Sequence, residues 1–293
     1  MNLLDGNAGL MAIKQELKEE VTKRSQIGLK IPHLAAVLVG ADGASQTYVS
    51  SKVRDCADVG FGSTLIQLPA DVTAKELRKT IDDLNTRDVI DGYIVQLPLP
   101  AHLDEREITL SVDPMKDVDG FHPENVGRMN LGLPCYLPAT PNGIVELLKR
   151  NNVDTEGRHC LVLGRSNIVG TPMAILMSRN ANPGNCTVTL AHSRTRQLTD
   201  LCLSADILIA ALGKPLFVKA DMVKEGAVVI DVGITRVPDA TRKSGYRLAG
   251  DVDFEEVAPR CAWITPVPGG VGPMTRASLL QNTLKACRRR TEH

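Results

Sequence analysis

The segment Cys160-Leu161-Val162-Leu163-Gly164-Arg165-Ser166-Asn167-Ile168-Val169-Gly170-Thr171-Pro172 decides how the rest of the chain is read. An apolar run ends in a glycine, and a small-residue helix start follows. A strand hands over to a helix in this way at a phosphate-binding corner. Gly164 permits a tight turn, and Gly170 permits the new helix to approach the sheet closely. The first N–H groups of a helix have no intrahelical partner, so they are open to an anion. Ser166 stands where the middle glycine of G-x-G-x-x-G would be. Spacing alone therefore also fits an ordinary strand–helix turn.

Outward from this corner, helix and strand patterns alternate. Downstream, Thr187 to Ala191, Asp206 to Ala211, Val228 to Val232 and Ala262 to Thr265 read as strands with helices between the earlier ones. A Gly/Pro loop from Pro266 to Pro273 leads to a last helix, Met274 to Arg288. Upstream, residues 7–26 form an amphipathic helix pattern, with Leu10, Ile13, Leu17 and Val21 on one face. Leu34 to Val39 and Ser63 to Leu68 read as strands, and Ala44 to Val59 and Thr73 to Asn85 as helices. Gly92 to Pro100 reads as a strand ended by two prolines. Asp113 to Pro138 is irregular and reads as a functional loop. Thr140 and Pro141 suit the N-cap and first position of a helix over Asn142 to Asn151. No internal repeat is visible. The alternation predicts an α/β fold with parallel sheets. A length of 293 residues suits two domains, although one large domain also fits. The expected boundaries are 1–140 plus 274–293 for one domain and 141–273 for the other.

Composition narrows the function. Formal net charge is zero, which argues against electrostatic binding to nucleic acid or an anionic membrane. The run Arg288-Arg289-Arg290 is too short to alter that, and suits the end of a terminal helix. Aromatics make up only 3%, so the cores must be built from Leu, Ile, Val and Ala. The seven cysteines are scattered, odd in number and never in C-x-x-C. They read as small hydrophobes of a reduced cytoplasmic protein. No apolar stretch is long enough to span a bilayer, and Met1 to Gly9 does not resemble a signal peptide.

Several residues are candidates for chemistry. In a dinucleotide fold, an acid after the second strand selects NAD, and a cationic or hydroxyl-rich turn accommodates a 2′-phosphate. Here the turn reads His192-Ser193-Arg194-Thr195-Arg196, and Arg165 stands in the glycine corner. This favours NADP; a solvated basic turn is the alternative. Tyr48 and Lys52 are four apart, so on a helix they share a face. A Lys beside a Tyr in a cleft can move protons near neutrality, whereas a surface Lys is the usual outcome. Gln96 ends a strand where ligands bind in parallel sheets, and its amide can hold an amine and a carbonyl together. It also suits a plain polar strand end. Asp119 can accept two N–H bonds from a guanidine-like heterocycle, or merely form a turn, as Asp117 does. No His, Cys or acid cluster has metal-ligand spacing, so no metal is expected.

Taken together, these residues resemble the bifunctional methylenetetrahydrofolate dehydrogenase/methenyltetrahydrofolate cyclohydrolase family. The resemblance rests on Ser45-x-x-Tyr48-x-x-x-Lys52, Val95 to Pro100, Lys116 to Phe121, Pro138 to Pro141, Gly164 to Pro172, His192-Ser193-x-Thr195, Val229 to Ile234, Gly250 to Asp253 and Thr265 to Thr275, in order. It implies a folate-binding α/β domain and a Rossmann-type NADP domain, with a cleft between them, and a homodimer. It implies oxidation of 5,10-methylenetetrahydrofolate with NADP, then hydrolysis of the methenyl product to 10-formyltetrahydrofolate. A monofunctional dehydrogenase is the alternative. A non-catalytic nucleotide-binding module would not need Tyr48, Lys52 and Gln96 together.

The resemblance also implies roles. Lys52 is the acid–base residue, tuned by Gln96, with Tyr48 against the aminobenzoate ring and Asp119 on the pterin edge. Ser45, Leu97, Pro98, Pro268, Gly269 and Gly270 complete the substrate set. Thr140, Gly164, Arg165, Ser166, Ile168, Val169, His192, Ser193, Arg194, Ala211, Gly213, Val232, Gly233, Ile234 and Thr275 form the cofactor set. Ala139 stands where many members carry Cys, and Thr235 where Asn is common.

Overall fold

The computed structural model describes residues 1–40, 43–242 and 245–291, without the side chains of 44, 290 and 291. The last two residues of the expected C-terminal segment, and the Arg290 side chain of the basic run, lie outside the described residues. Two compact units divide the chain: Met11–Ala139 with Arg276–His293, and Met1–Leu10 with Thr140–Thr275. No helix among the described residues is long and apolar enough to cross a membrane.

The chain opens with β1 (Asn2–Leu3) and α1 (Gly6–Gln26). The first unit then builds β2 (His33–Val39), α2 (Gly43–Val59), β3 (Gly62–Leu68), α3 (Ala74–Thr86) and β4 (Gly92–Val95). The strands form a parallel sheet in the order β3-β2-β4. Leu34 to Val39 are buried, as the middle strand of a covered parallel sheet requires. β3 lies at the edge and alternates between half-buried and exposed residues. α3 is set by a capping box between Thr73 and Glu76, and it buries Leu77, Ile81 and Leu84. β4 stops at Val95, short of the expected Pro100. The Gln96 amide still donates to Val37 at 2.9 Å, but Pro98 and Pro100 have no N–H to continue the ladder. The expected irregular stretch contains a helix, α5 (Pro123–Asn130), preceded by α4 (Glu105–Ser111). Asp104 caps α4, and His122 with Pro123 starts α5.

The second unit contains α6 (Ala139–Arg150), β5 (His159–Leu163), α7 (Gly170–Ser178), β6 (Thr187–Ala191), α8 (Leu198–Ser204), β7 (Ile207–Ala210) and β8 (Val228–Asp231). A hairpin of β9 (Thr235–Pro238) and β10 (Tyr246–Ala249) follows, then α9 (Phe254–Val257), β11 (Trp263–Ile264) and α10 (Val271–Thr291). Six parallel strands run in the order β1-β11-β8-β7-β5-β6. Leu161, Leu163, Leu208, Val229 and Ile264 fill a core on this sheet. Two expectations change here. α6 already includes Ala139, so Thr140 lies inside its first turn instead of capping it. The first ten residues fall in this unit because Asn2 and Leu3 pair with Trp263 and Ile264.

Both sheets begin with the same side-chain arrangement. His33 opens β2 and His159 opens β5, and each ring Nε2 meets a Thr hydroxyl on the next strand, Thr64 at 2.8 Å and Thr189 at 2.9 Å. Asp91 precedes β4 and Asp206 precedes β7; each accepts from the histidine backbone N–H, and they pair with Lys30 and Lys224 respectively. The acids thereby pair backbone donors at the sheet ends that would otherwise be unsatisfied. All seven cysteines are buried, and none is in a disulfide.

Candidate active site

In the first unit, α2 turns one face inward. Ser45, Val49, Lys52, Cys56 and Val59 are buried along it, and Tyr48 is half-buried beside Lys52. Lys52 is only 9% exposed, so it is not the surface lysine that its residue type would suggest. Its Nζ donates to Gln96 Oε1 at 3.1 Å. Gln96 sits just beyond β4, and its Nε2 donates to the Leu97 carbonyl at 2.7 Å. That second bond fixes which end of the amide faces the lysine. Burial pushes the Lys52 ammonium below its ordinary value, and the nearby Asp119 charge opposes this. Burial pushes Asp119 up to about 6; Lys52 pulls it down, and Asp117 adds to the rise. Lys52, Gln96 and Asp119 therefore form one electrostatic group, with Tyr48 beside it.

The loop carrying Asp119 is built from beneath. Lys116 is buried, and its Nζ donates to the carbonyls of Leu84 at 2.7 Å and Arg87 at 2.8 Å, where α3 ends. Asp117 accepts from the Gly120 and His122 amides and from Asn125 Nδ2 at 2.9 Å. Asp117 thus shapes the turn, as its sequence position suggests, and leaves Asp119 as the second acid of the loop. A cavity of about 20 Å³, room for about one water, is lined by Tyr93, Val95, Leu97, Asp119 and Phe121 among others. Phe121 is not among the sequence candidates, although it closes the Lys116 to Phe121 stretch.

In the second unit the glycine corner is built as its sequence suggests. Gly164 has φ 115°, and a Cβ there would meet the Ala211 carbonyl oxygen at 2.1 Å. A Cβ on Gly170 would meet the Gly164 carbonyl oxygen at 2.1 Å, so α7 rests on the strand end itself. The helix start is not bare, however. The Ser166 hydroxyl accepts from the Val169 and Gly170 amides at 3.2 and 3.3 Å. The serine in place of the middle glycine therefore supplies an acceptor that sequence spacing did not anticipate.

After β6, the His192 amide donates to Thr195 Oγ1, and the Thr195 amide donates to the His192 carbonyl at 2.8 Å. This closed turn leaves Ser193, Arg194 and Arg196 exposed, and Arg165 is exposed in the corner. No carboxylate lies in the turn, so these groups fit a phosphorylated dinucleotide. Ile168 and Ile234 are exposed apolar side chains, 39% and 45% accessible, one at the corner and one after β8. The Thr140 and Thr275 hydroxyls are 3.0 Å apart. Pro268 to Gly270 lie in this unit, where the Gly6 amide donates to the Gly269 carbonyl.

Two buried acids that sequence reading gave no role, Asp231 and Asp251, also lie here. Asp231, at the end of β8, accepts from the Gly233, Asp251 and Val252 amides. Burial pushes its carboxyl up to about 7, although these donors pull it down. Their sequence signal was present in the stretches Val229 to Ile234 and Gly250 to Asp253, but spacing did not say what the acids bind.

Known proteins give the arrangement its context. Family models described as the catalytic domain and the NAD(P)-binding domain of tetrahydrofolate dehydrogenase/cyclohydrolase match residues 4–119 and 138–291. The bifunctional protein FolD of Cytophaga hutchinsonii is 62% identical over 286 residues, 98% of this chain and 99% of that one. The crystal structure of the Campylobacter jejuni bifunctional enzyme FolD superposes with a TM-score of 0.92 at 46% identity, covering 99% of both chains. The Trypanosoma brucei methylenetetrahydrofolate dehydrogenase-cyclohydrolase, solved with NADP and an inhibitor, gives 0.93 at 39% identity, covering 99% of this chain and 98% of that one. This chain belongs to the tetrahydrofolate dehydrogenase/cyclohydrolase family.

Proposed function

We infer that the protein oxidises 5,10-methylenetetrahydrofolate to the 5,10-methenyl form with NADP and hydrolyses that product to 10-formyltetrahydrofolate. The observation that carries the second step is the buried Lys52 amine, held by Gln96 beside Asp119. The bridging carbon of the substrate lies between two nitrogens, which stabilise the cation left by oxidation. The protein must mainly align that carbon. NADP supplies the two-electron acceptor when bound. Arg165, Ser193 and Arg194 would hold its 2′-phosphate, and the Gly164–Gly170 corner would admit its diphosphate. Thr140, Ile168, Ala211, Gly213, Val232 to Ile234 and Thr275 would line the remainder.

Hydrolysis adds water to the bridging carbon of the methenyl cation and breaks its bond to N5; one proton of the water ends on N5, and the other leaves to solvent as the formyl C=O forms. A neutral Lys52 can accept the proton of the attacking water and return it to N5. Burial of Lys52 favours that neutral form. Gln96 orients the amine, Asp119 accepts from the pterin edge, and Tyr48 stacks on the aminobenzoate ring. Ser45, Leu97, Pro98 and Pro268 to Gly270 supply further substrate contacts. A cytoplasmic homodimer completes the proposal; seven buried cysteines outside any disulfide suit a reducing compartment.

An absorbance assay with methylenetetrahydrofolate and NADP tests the reading. The expected trace shows reduced cofactor accumulating while a methenyl signal rises and then decays. Cofactor reduction with a methenyl signal that decays only at the buffer rate would leave a monofunctional dehydrogenase.

A further inference from the structure

Two carboxylates, far in sequence from the glycine corner, tie together the strand ends beside it. Asp251 is fully buried, and its carboxylate accepts from the amides of Leu212 at 2.5 Å, Gly213 at 3.0 Å and Lys214 at 2.7 Å. These three residues form the turn after β7. The Asp251 amide in turn donates to Asp231 at 2.8 Å, and Asp231 holds the Gly233 amide after β8 at 2.9 Å. The Val252 amide donates to Asp231 as well, at 2.9 Å. The two acids thus stand in series, and six backbone donors end on them.

These bonds converge on the strand ends that flank the corner. The Ala211 amide donates to the Leu163 carbonyl at 2.8 Å, and the Val232 amide donates to the Ala210 carbonyl at 2.8 Å. Beyond these bonds, the turn amides at 212–214 and at Gly233 are held by the acids, so the conformation of both turns depends on them. Charged acceptors give the stronger hydrogen bonds, and a turn whose amides end on such buried acids is ordered before any ligand arrives.

We propose that Asp251, through Asp231, is a positioning residue that pre-orders the turns after β7 and β8 for the dinucleotide. The inference rests on the proposed NADP reading of this unit. Asp251 touches neither cofactor nor substrate in this role. Asp251→Asn keeps the side-chain volume but turns one acceptor into a donor, facing backbone donors that it cannot satisfy.

Calorimetric titration with NADP, paired with an assay of methenyltetrahydrofolate hydrolysis without cofactor, tests it. Asp251→Asn should weaken NADP binding at least tenfold while hydrolysis stays within twofold of wild type. Asp231→Asn should move binding in the same direction. NADP binding within twofold in folded Asp251→Asn overturns the inference. So does an equal loss of binding and hydrolysis, which a general structural role would produce. Wild-type protein that fails to bind NADP would instead sink the functional reading. Amide exchange in the unmodified protein without cofactor needs no variant. The Leu212, Gly213 and Lys214 amides should exchange at least a hundredfold more slowly than an open chain, and exchange at the open-chain rate overturns the inference.

Discussion

The charge on Lys52 is set by two opposed influences, its burial and a nearby acid. Burial disfavours its ammonium form, and the Asp119 carboxylate favours it. As a base, Lys52 works only when neutral, so hydrolysis should rise with pH through its pKa. Asp119→Asn removes the group that raises that pKa. The rising limb of the pH–kcat profile for methenyl hydrolysis should therefore move to lower pH in this variant. An unmoved limb, or one displaced to higher pH, would contradict the coupling. Tyr48, Lys52, Gln96 and Asp119 were legible as candidates because their types and spacings suggest chemistry. The coupling of Lys52 to Asp119 was not, since it depends on how α2 packs against the strands. Ser166 shows the reverse case. Its position looked like a gap in a glycine motif, yet its hydroxyl accepts from two amides at the start of α7.

α2 carries Tyr48 and Lys52, and one buried acid on it anchors two other helices. Asp55 is only 3% exposed and pairs with Lys14 of α1 at 2.5 Å and Arg276 of α10 at 2.9 Å. Removing one partner of a buried ion pair is costly because the other charges lose their compensation. Asp55→Ala should lower the unfolding free energy by about 3 kcal/mol in urea denaturation, at the low end for buried pairs because both cations keep some solvent access. A change below about 0.5 kcal/mol would mean that the pairs behave as surface bridges. Elements with a strong local signal were readable beforehand. α3 has its capping box, β5 has a buried apolar run, and both β5 and β6 have the expected ends. α4 and α5 span only seven and eight residues, too short to establish a helical period. The two residues of β1 carry no pattern at all; only pairing with β11 defines them.

Across the whole molecule, the two units share a sheet-entry arrangement that the sequence does not display as a repeat. His33, Thr64 and Asp91 in one unit match His159, Thr189 and Asp206 in the other, contact for contact. The surrounding residues differ, so a search for repeated segments passes over three matching side chains separated by unlike loops. The α/β class and two-unit organisation were legible because helix and strand alternate along most of the chain. The assignment of residues 1–10 was not, because it depends on a long-range strand pair. We assign acid–base chemistry to the unit containing Lys52 and cofactor binding to the unit containing the glycine corner, and Lys52→Ala separates the two. With methylenetetrahydrofolate and NADP, this variant should still reduce the cofactor and bind NADP with wild-type affinity. Its enzymatic methenyl hydrolysis should fall at least a hundredfold, on the order expected for loss of a general acid–base, so that the methenyl signal rises and persists. A methenyl signal that decays at the wild-type rate would contradict the central assignment.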